Sequence, residues 1–170
     1  TFMAGYVAII GIPPFAGFWS KDEIIHAAFE RNSIIGAAAI LAAGVTGFYM
    51  TRMIAMTFFG KKRWEGDAHP HESPSVMTIP LVLLALGSVF LGMALLFWGD
   101  IKDWLKPVVG YESVPTPLPT SFYIAVTLIV VIIGAIIGWV MYARRDVPIE
   151  APTGNALTRA ARQDLYGDAV

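Results

Sequence analysis

The sequence contains no cysteine. Disulfides, thiolate-ligated iron–sulfur clusters and cysteine nucleophiles are therefore excluded on this chain. Charge is also scarce. Asp, Glu, Lys and Arg make up 15% of the 170 residues, the formal net charge is −1, and there are three histidines. Without a positive excess the chain has no electrostatic footprint for nucleic acid, so none is expected as a partner. No basic n-region or small-residue cleavage site precedes the apolar sequence that starts at Phe2, so the beginning does not read as a secretory signal. An opening on Thr1 that runs straight into apolar residues is what a piece of a longer polytopic protein would show.

Apolar sequence is what the chain has in abundance. Hydrophobic residues make up 56% and the mean hydropathy is +0.62. A soluble domain this small has too much surface to hide that much apolar side chain. Crossing the ~30 Å hydrocarbon core of a bilayer takes about 20 apolar residues as a helix, and the sequence offers four such blocks. The spacing predicts an all-α, polytopic transmembrane bundle with helices at about 2–30 (broken), 34–59, 76–98 and 122–142. A polar tail over 143–170 follows. The segment WGDIKDWLK, beginning at Trp98, suits a short interfacial helix, and Pro115, Pro117 and Pro119 make the next stretch a loop.

Loop charge sets an orientation. If each block crosses once, Lys61, Lys62, Arg63, Arg144, Arg145, Arg159 and Arg162 share one side, opposite Arg31, Lys102 and Lys106. The positive-inside rule then makes the C-terminal tail cytoplasmic. Ala39, Ala43 and Gly47, with Gly134 and Gly138, give two of the blocks small-residue faces suited to close helix packing in lipid.

The first block contains GIPPFAGFWSKDE, residues 11–23. Pro13 and Pro14 each lack the N–H that would reach back one helical turn, so the carbonyls of Ile9 and Ile10 lose their usual donors. In lipid an unmet backbone group costs several kcal/mol, and broken helices persist only where protein or water lines them. A charged side chain at that depth adds at least ~2.5 kcal/mol. Pro13, Pro14 and Gly17 are read as the break. Ser20 and Glu23 match a capping box that would restart the helix, with Lys21 in its first turn. Asp22, His26 and Glu30 recur every four residues and form a polar stripe, with Lys21 about 100° round from Asp22. Poor hydration disfavours an ammonium and a nearby carboxylate favours it, so a moving charge would switch such a lysine between binding and releasing a proton. A second placement fits the same pattern: the break lies at the membrane edge and residues 20–31 form a solvated surface helix.

GIPPFAGFWSKDEII, followed by FYMTRMIAMTFFG and HPHESPSVMTIPLVLLALGS, resembles the antiporter-like membrane subunits of the proton-pumping NADH:quinone oxidoreductase, respiratory complex I, and most closely their subunit L branch. The likeness covers most of residues 1–98. It implies a core of inverted repeats, each with a broken helix, of which this chain supplies the last helices. It also implies that Lys21 matches the buried proton-relay lysine of the second broken helix and Asp22 the adjoining acid. NADH, FMN, iron–sulfur clusters and quinone would lie on partner subunits, with no cofactor or metal on this chain. The partners would be other membrane subunits, the lipid bilayer and protons. The setting would be a bacterial plasma membrane, with the mitochondrial inner membrane as the alternative. An Mrp-type cation/proton antiporter and a purely architectural subunit are the competing functions.

Outside the motif, Arg52 lies ~12 Å of helical rise before Gly60, within snorkelling reach of the cytoplasmic surface, and is also a candidate for the proton path with Tyr49 and Thr46 beside it. His69 and His71 flank Pro70 with Asp67 and Glu72 nearby, which reads as a loop contact rather than a metal site.

Overall fold

The computed structural model describes residues 1–60, 71–98, 107–108 and 118–144. Every regular element among them is helical: α1 (Phe2–Ile10), α2 (Ala16–Arg31), α3 (Ser33–Ile54, running on as a π-helical stretch Ala55–Phe59), α4 (Ser75–Trp98) and α5 (Thr120–Tyr142). The chain is an all-α membrane protein. Three helices are long and apolar enough to cross a bilayer, Ser33–Phe59, Ser75–Leu95 and Thr120–Tyr142. Neither α1 nor α2 reaches that length alone. Their rises of ~14 and ~24 Å, end to end, match the ~40 Å of α3 with its π-helical extension. The basic loop with Asp67 and His69, the proposed interfacial helix after Trp98 and most of the polar tail lie outside the described residues.

The α1–α2 pair runs antiparallel to α3. The tilted rings of Phe2 and Phe58 touch, Tyr6 hydrogen-bonds Thr51, and Phe29 packs against Gly36. α5 runs parallel to α3, since Val130, Gly134 and Gly138 meet Gly44, Phe48 and Thr51 in that order. A Cβ on Gly134 would strike the backbone carbonyl of Gly44, so the two backbones touch where only glycine leaves room. α4 returns alongside α1 and α2, with Leu84 and Ser88 near Gly5 and Ile9, and Gly92 on Ala16. Direction therefore alternates from each spanning unit to the next. α2 ends, and α3 and α5 begin, on one side; α1 begins, and α3 and α5 end, on the other. The buried core is thin, centred on Ile10, Ile25, Ala43, Met50 and Val131, and none of the described side chains of α4 is fully buried. Its outward Val76, Leu83, Leu84 and Phe97 form an unbroken apolar face.

Candidate functional site

α1 stops because its last residues have no backbone donors ahead of them. Gly11 takes the left-handed conformation (φ 79°), which costs a residue without Cβ nothing. Its N–H reaches Ala8 O (3.1 Å) and Val7 O (3.2 Å), and the Ile12 N–H also reaches Val7 O (3.2 Å). This is a Schellman closure. It satisfies Val7 and Ala8 and leaves the carbonyls of Ile9 and Ile10, whose natural donors would have been the N–H groups that Pro13 and Pro14 lack.

Lys21 supplies them. Its Nζ donates to Ile9 O at 2.8 Å and to Ile10 O at 3.2 Å. One amine thus takes the place of both missing amide donors. The side chain also packs against Gly11. On the neighbouring side, a Cβ on Gly17 would collide with the carbonyl of Ala8, so α2 begins pressed against the end of α1.

The restart differs from the capping-box expectation. α2 begins at Ala16, with Phe15 as N-cap, so Ser20 and Glu23 lie inside the helix and Ser20 Oγ donates to Gly17 O (3.4 Å). The prolines themselves mark the boundary: the N–H groups at a helix start have no intrahelical acceptor, so a proline pair just ahead of the first turn costs α2 no hydrogen bond. Lys21 is therefore in the second turn, close enough to reach back across the break. Gly17 likewise falls in the first turn of α2, outside the break, while Pro13 and Pro14 are within it, joined by a cis peptide bond.

Lys21 stands between two spaces. An open groove of about 580 Å³ runs along one side, lined among others by Ser20, Lys21, Ala39, Ala43 and Thr46. That level is close to the middle of the Ser33–Phe59 span. On the other side a cavity of about 10 Å³ is bounded by Gly11, Lys21, Asp22, Thr127 and Leu128. The Asp22–His26–Glu30 stripe faces α5. His26 Nδ1 lies 3.4 Å from Glu30 Oε1, its Nε2 is 3.3 Å from Thr120 Oγ1, and its ring stands edge-on to Tyr123. Arg52 is elsewhere: exposed, with its guanidinium 5.1 Å above the Tyr142 ring. Thr46 bonds back to Ala42 O and lines the Lys21 groove, not the Arg52 site. Among the described residues no group of three His, Asp or Glu is placed to hold a metal.

Sequence reasoning named the orphaned carbonyls and the lysine separately but not their meeting. It also missed Thr120, Tyr123 and Thr127. The signal for Thr127 was its isolation, the one hydroxyl between Ile124 and Trp139 in an otherwise aliphatic run.

Comparison with known proteins agrees with this architecture. The family described as NADH:quinone oxidoreductase/Mrp antiporter, TM, matches residues 1–51, a stretch that holds the break, Lys21 and most of α3. Subunit L of the NADH-quinone oxidoreductase of Mycobacterium tuberculosis is 54% identical over 99% of this chain and 28% of its own length. The Rickettsia bellii subunit L is 38% identical over the same shares, and NAD(P)H-quinone oxidoreductase chain 5 of a Picosynechococcus species is 44% identical over 59% of this chain and 18% of its own. The chain thus spans little more than a quarter of the length of the relatives it matches most fully. Similar to subunit L from end to end and matching the family across its broken helix, the chain belongs to the antiporter-like membrane subunits of the NADH:quinone oxidoreductase and Mrp antiporter family.

Proposed function

We propose that this chain is part of a proton-translocating membrane subunit of NADH:quinone oxidoreductase, with Lys21 as a proton relay at mid-membrane depth. The observation that supports this most is the pair of hydrogen bonds from Lys21 Nζ to Ile9 O and Ile10 O, made beside a groove level with the middle of α3. Those carbonyls hold the amine in place between two spaces, where a proton taken up from one side is released to the other. Asp22 adjoins the lysine on the α5 side, and His26 and Glu30 continue the route toward the outward ends of α2 and α5. NADH, FMN, iron–sulfur clusters and quinone reside on partner subunits, whose electron transfer alters the charge near Lys21. The C-terminal tail is cytoplasmic and the exposed face of α4 meets lipid or other membrane subunits. End-to-end similarity to subunit L favours this over an Mrp-type antiporter or an architectural role.

Lys21→Arg and Lys21→Ala test it. Arginine keeps a cation and several donors but does not give up its proton in a protein. In membrane vesicles of the assembled enzyme, the Lys21→Arg variant should assemble normally and move fewer protons per NADH oxidised. An unchanged ratio in both variants at normal assembly contradicts the relay.

A further inference from the structure

Threonines with helix behind them bond back to a carbonyl three or four residues earlier, Thr78 to Ser75 O among them, with one exception among the described residues. Thr46, Thr51 and Thr57 each donate to the carbonyl four residues earlier, at 2.7–2.8 Å. This is the usual way a helical hydroxyl is satisfied in an apolar setting. Thr127 does not. The residue is 6% exposed and its Oγ1 is buried with no hydrogen-bond partner. Leaving a buried hydroxyl unmet is unfavourable, and valine would fill the same space without that penalty. Thr127 also bounds the small cavity shared with Lys21, Asp22 and Gly11. At about 10 Å³ that cavity is close to the smallest space that accepts one water molecule, and its walls carry the polar partners a water needs.

We propose that Thr127 is a positioning residue of the relay: it holds one water between its hydroxyl and Asp22, next to Lys21, and so opens the α2–α5 seam as the proton's outward route. The inference rests on the relay reading of Lys21. Below this point the same seam holds His26 between Glu30 and Thr120, so α5 supplies a hydroxyl at two levels of one polar line. Asp22 to His26 is a single helical turn, ~6 Å, a gap one or two waters bridge.

The test uses the full-length subunit in the assembled membrane complex. Thr127→Val removes the hydroxyl at nearly constant shape, and Thr127→Ser retains it. With assembly and NADH oxidation unchanged, Thr127→Val should lower the initial rate of NADH-driven vesicle acidification ~3- to 10-fold, the rate equivalent of losing one hydrogen-bonded group, while Thr127→Ser stays near the unmodified rate. A general packing defect would not be rescued by serine, which is smaller than either residue. Unmodified acidification in Thr127→Val, alongside a defect in Lys21→Arg, overturns this inference and leaves the lysine relay standing. Normal behaviour in both variants removes both. Should Thr127→Val fail to assemble, a high-resolution map of the unmodified complex decides. Water density at ~2.7–3.2 Å from both Thr127 Oγ1 and an Asp22 carboxylate oxygen supports the site, and a Thr127 hydroxyl bonded back to Tyr123 O with no water beside it overturns it.

Discussion

Pro13 and Pro14 each remove one backbone donor, and one lysine amine fills both places. That accounting gives Lys21 a structural role beside the relay role proposed for it. Replacing it by methionine keeps its length and packing but leaves two carbonyls unmet in an apolar surrounding. The expected loss is ~2–6 kcal/mol, taking ~1–3 for each abandoned group, seen as a lower unfolding temperature of the purified complex. Lys21→Arg should recover most of that stability without recovering proton translocation. The two properties of one side chain therefore separate by substitution. The sequence made half of this visible. Prolines announce which carbonyls they orphan, because the rule is local. It did not show that residue 21 reaches residues 9 and 10, because that depends on how sharply the chain turns between them, which Gly11 and the contact of Gly17 with Ala8 determine.

At the scale of elements, the α3–α5 seam is a contact between backbones. Gly47, Gly134 and Gly138 leave no room for a Cβ, which would strike the carbonyls of Val131, Gly44 and Phe48 respectively. Gly134→Val should therefore force α5 away from α3, at a cost of ~1–3 kcal/mol or more, because the obstacle is a carbonyl that cannot change rotamer. Loss of subunit assembly on native gels, or a lowered unfolding temperature, measures it; Gly5→Ala, at a site with open space around it, is the control. Displacing α5 also withdraws Thr120 and Tyr123 from His26, so partial assemblies of Gly134→Val should be poor proton pumps. The GxxxG spacing at 134 and 138 was readable from sequence, since it is a period on one helix. Which helix it would meet, and that the polar stripe on α2 would face α5, was not. Those are pairings between segments about a hundred residues apart, with no local signature. The misplaced helix start had a different cause. Ser20 and Glu23 match a capping box by residue type, yet a proline pair had already set the boundary, with the N-cap at Phe15, five residues earlier.

Across the whole molecule, direction alternates between spanning units, and the ends of α1 and α2 together match α3 in length. Asn32 and Ser33 therefore share a side with Thr120, opposite Gly60 and Arg144. With arginines and lysines concentrated on the Gly60 side, that side should be cytoplasmic. This chain has no cysteine of its own, so single cysteines report sidedness directly. Ser33→Cys should react with a membrane-impermeant maleimide from outside intact cells, and Arg144→Cys only after the cytoplasmic face is opened. Labelling of both from the same side contradicts the alternating bundle. The broad exposure of apolar residues on α4 fits a chain that spans just over a quarter of its relatives' length.

All of this depends on where one amine sits. A cryo-EM map of the assembled complex in a lipid nanodisc locates it directly. Lys21 Nζ should lie within ~10 Å of the bilayer midplane, hydrogen-bonded to the carbonyls of Ile9 and Ile10 across an unwound segment at residues 11–15. A continuous helix through those residues, or an amine at the level of the lipid headgroups, would contradict it.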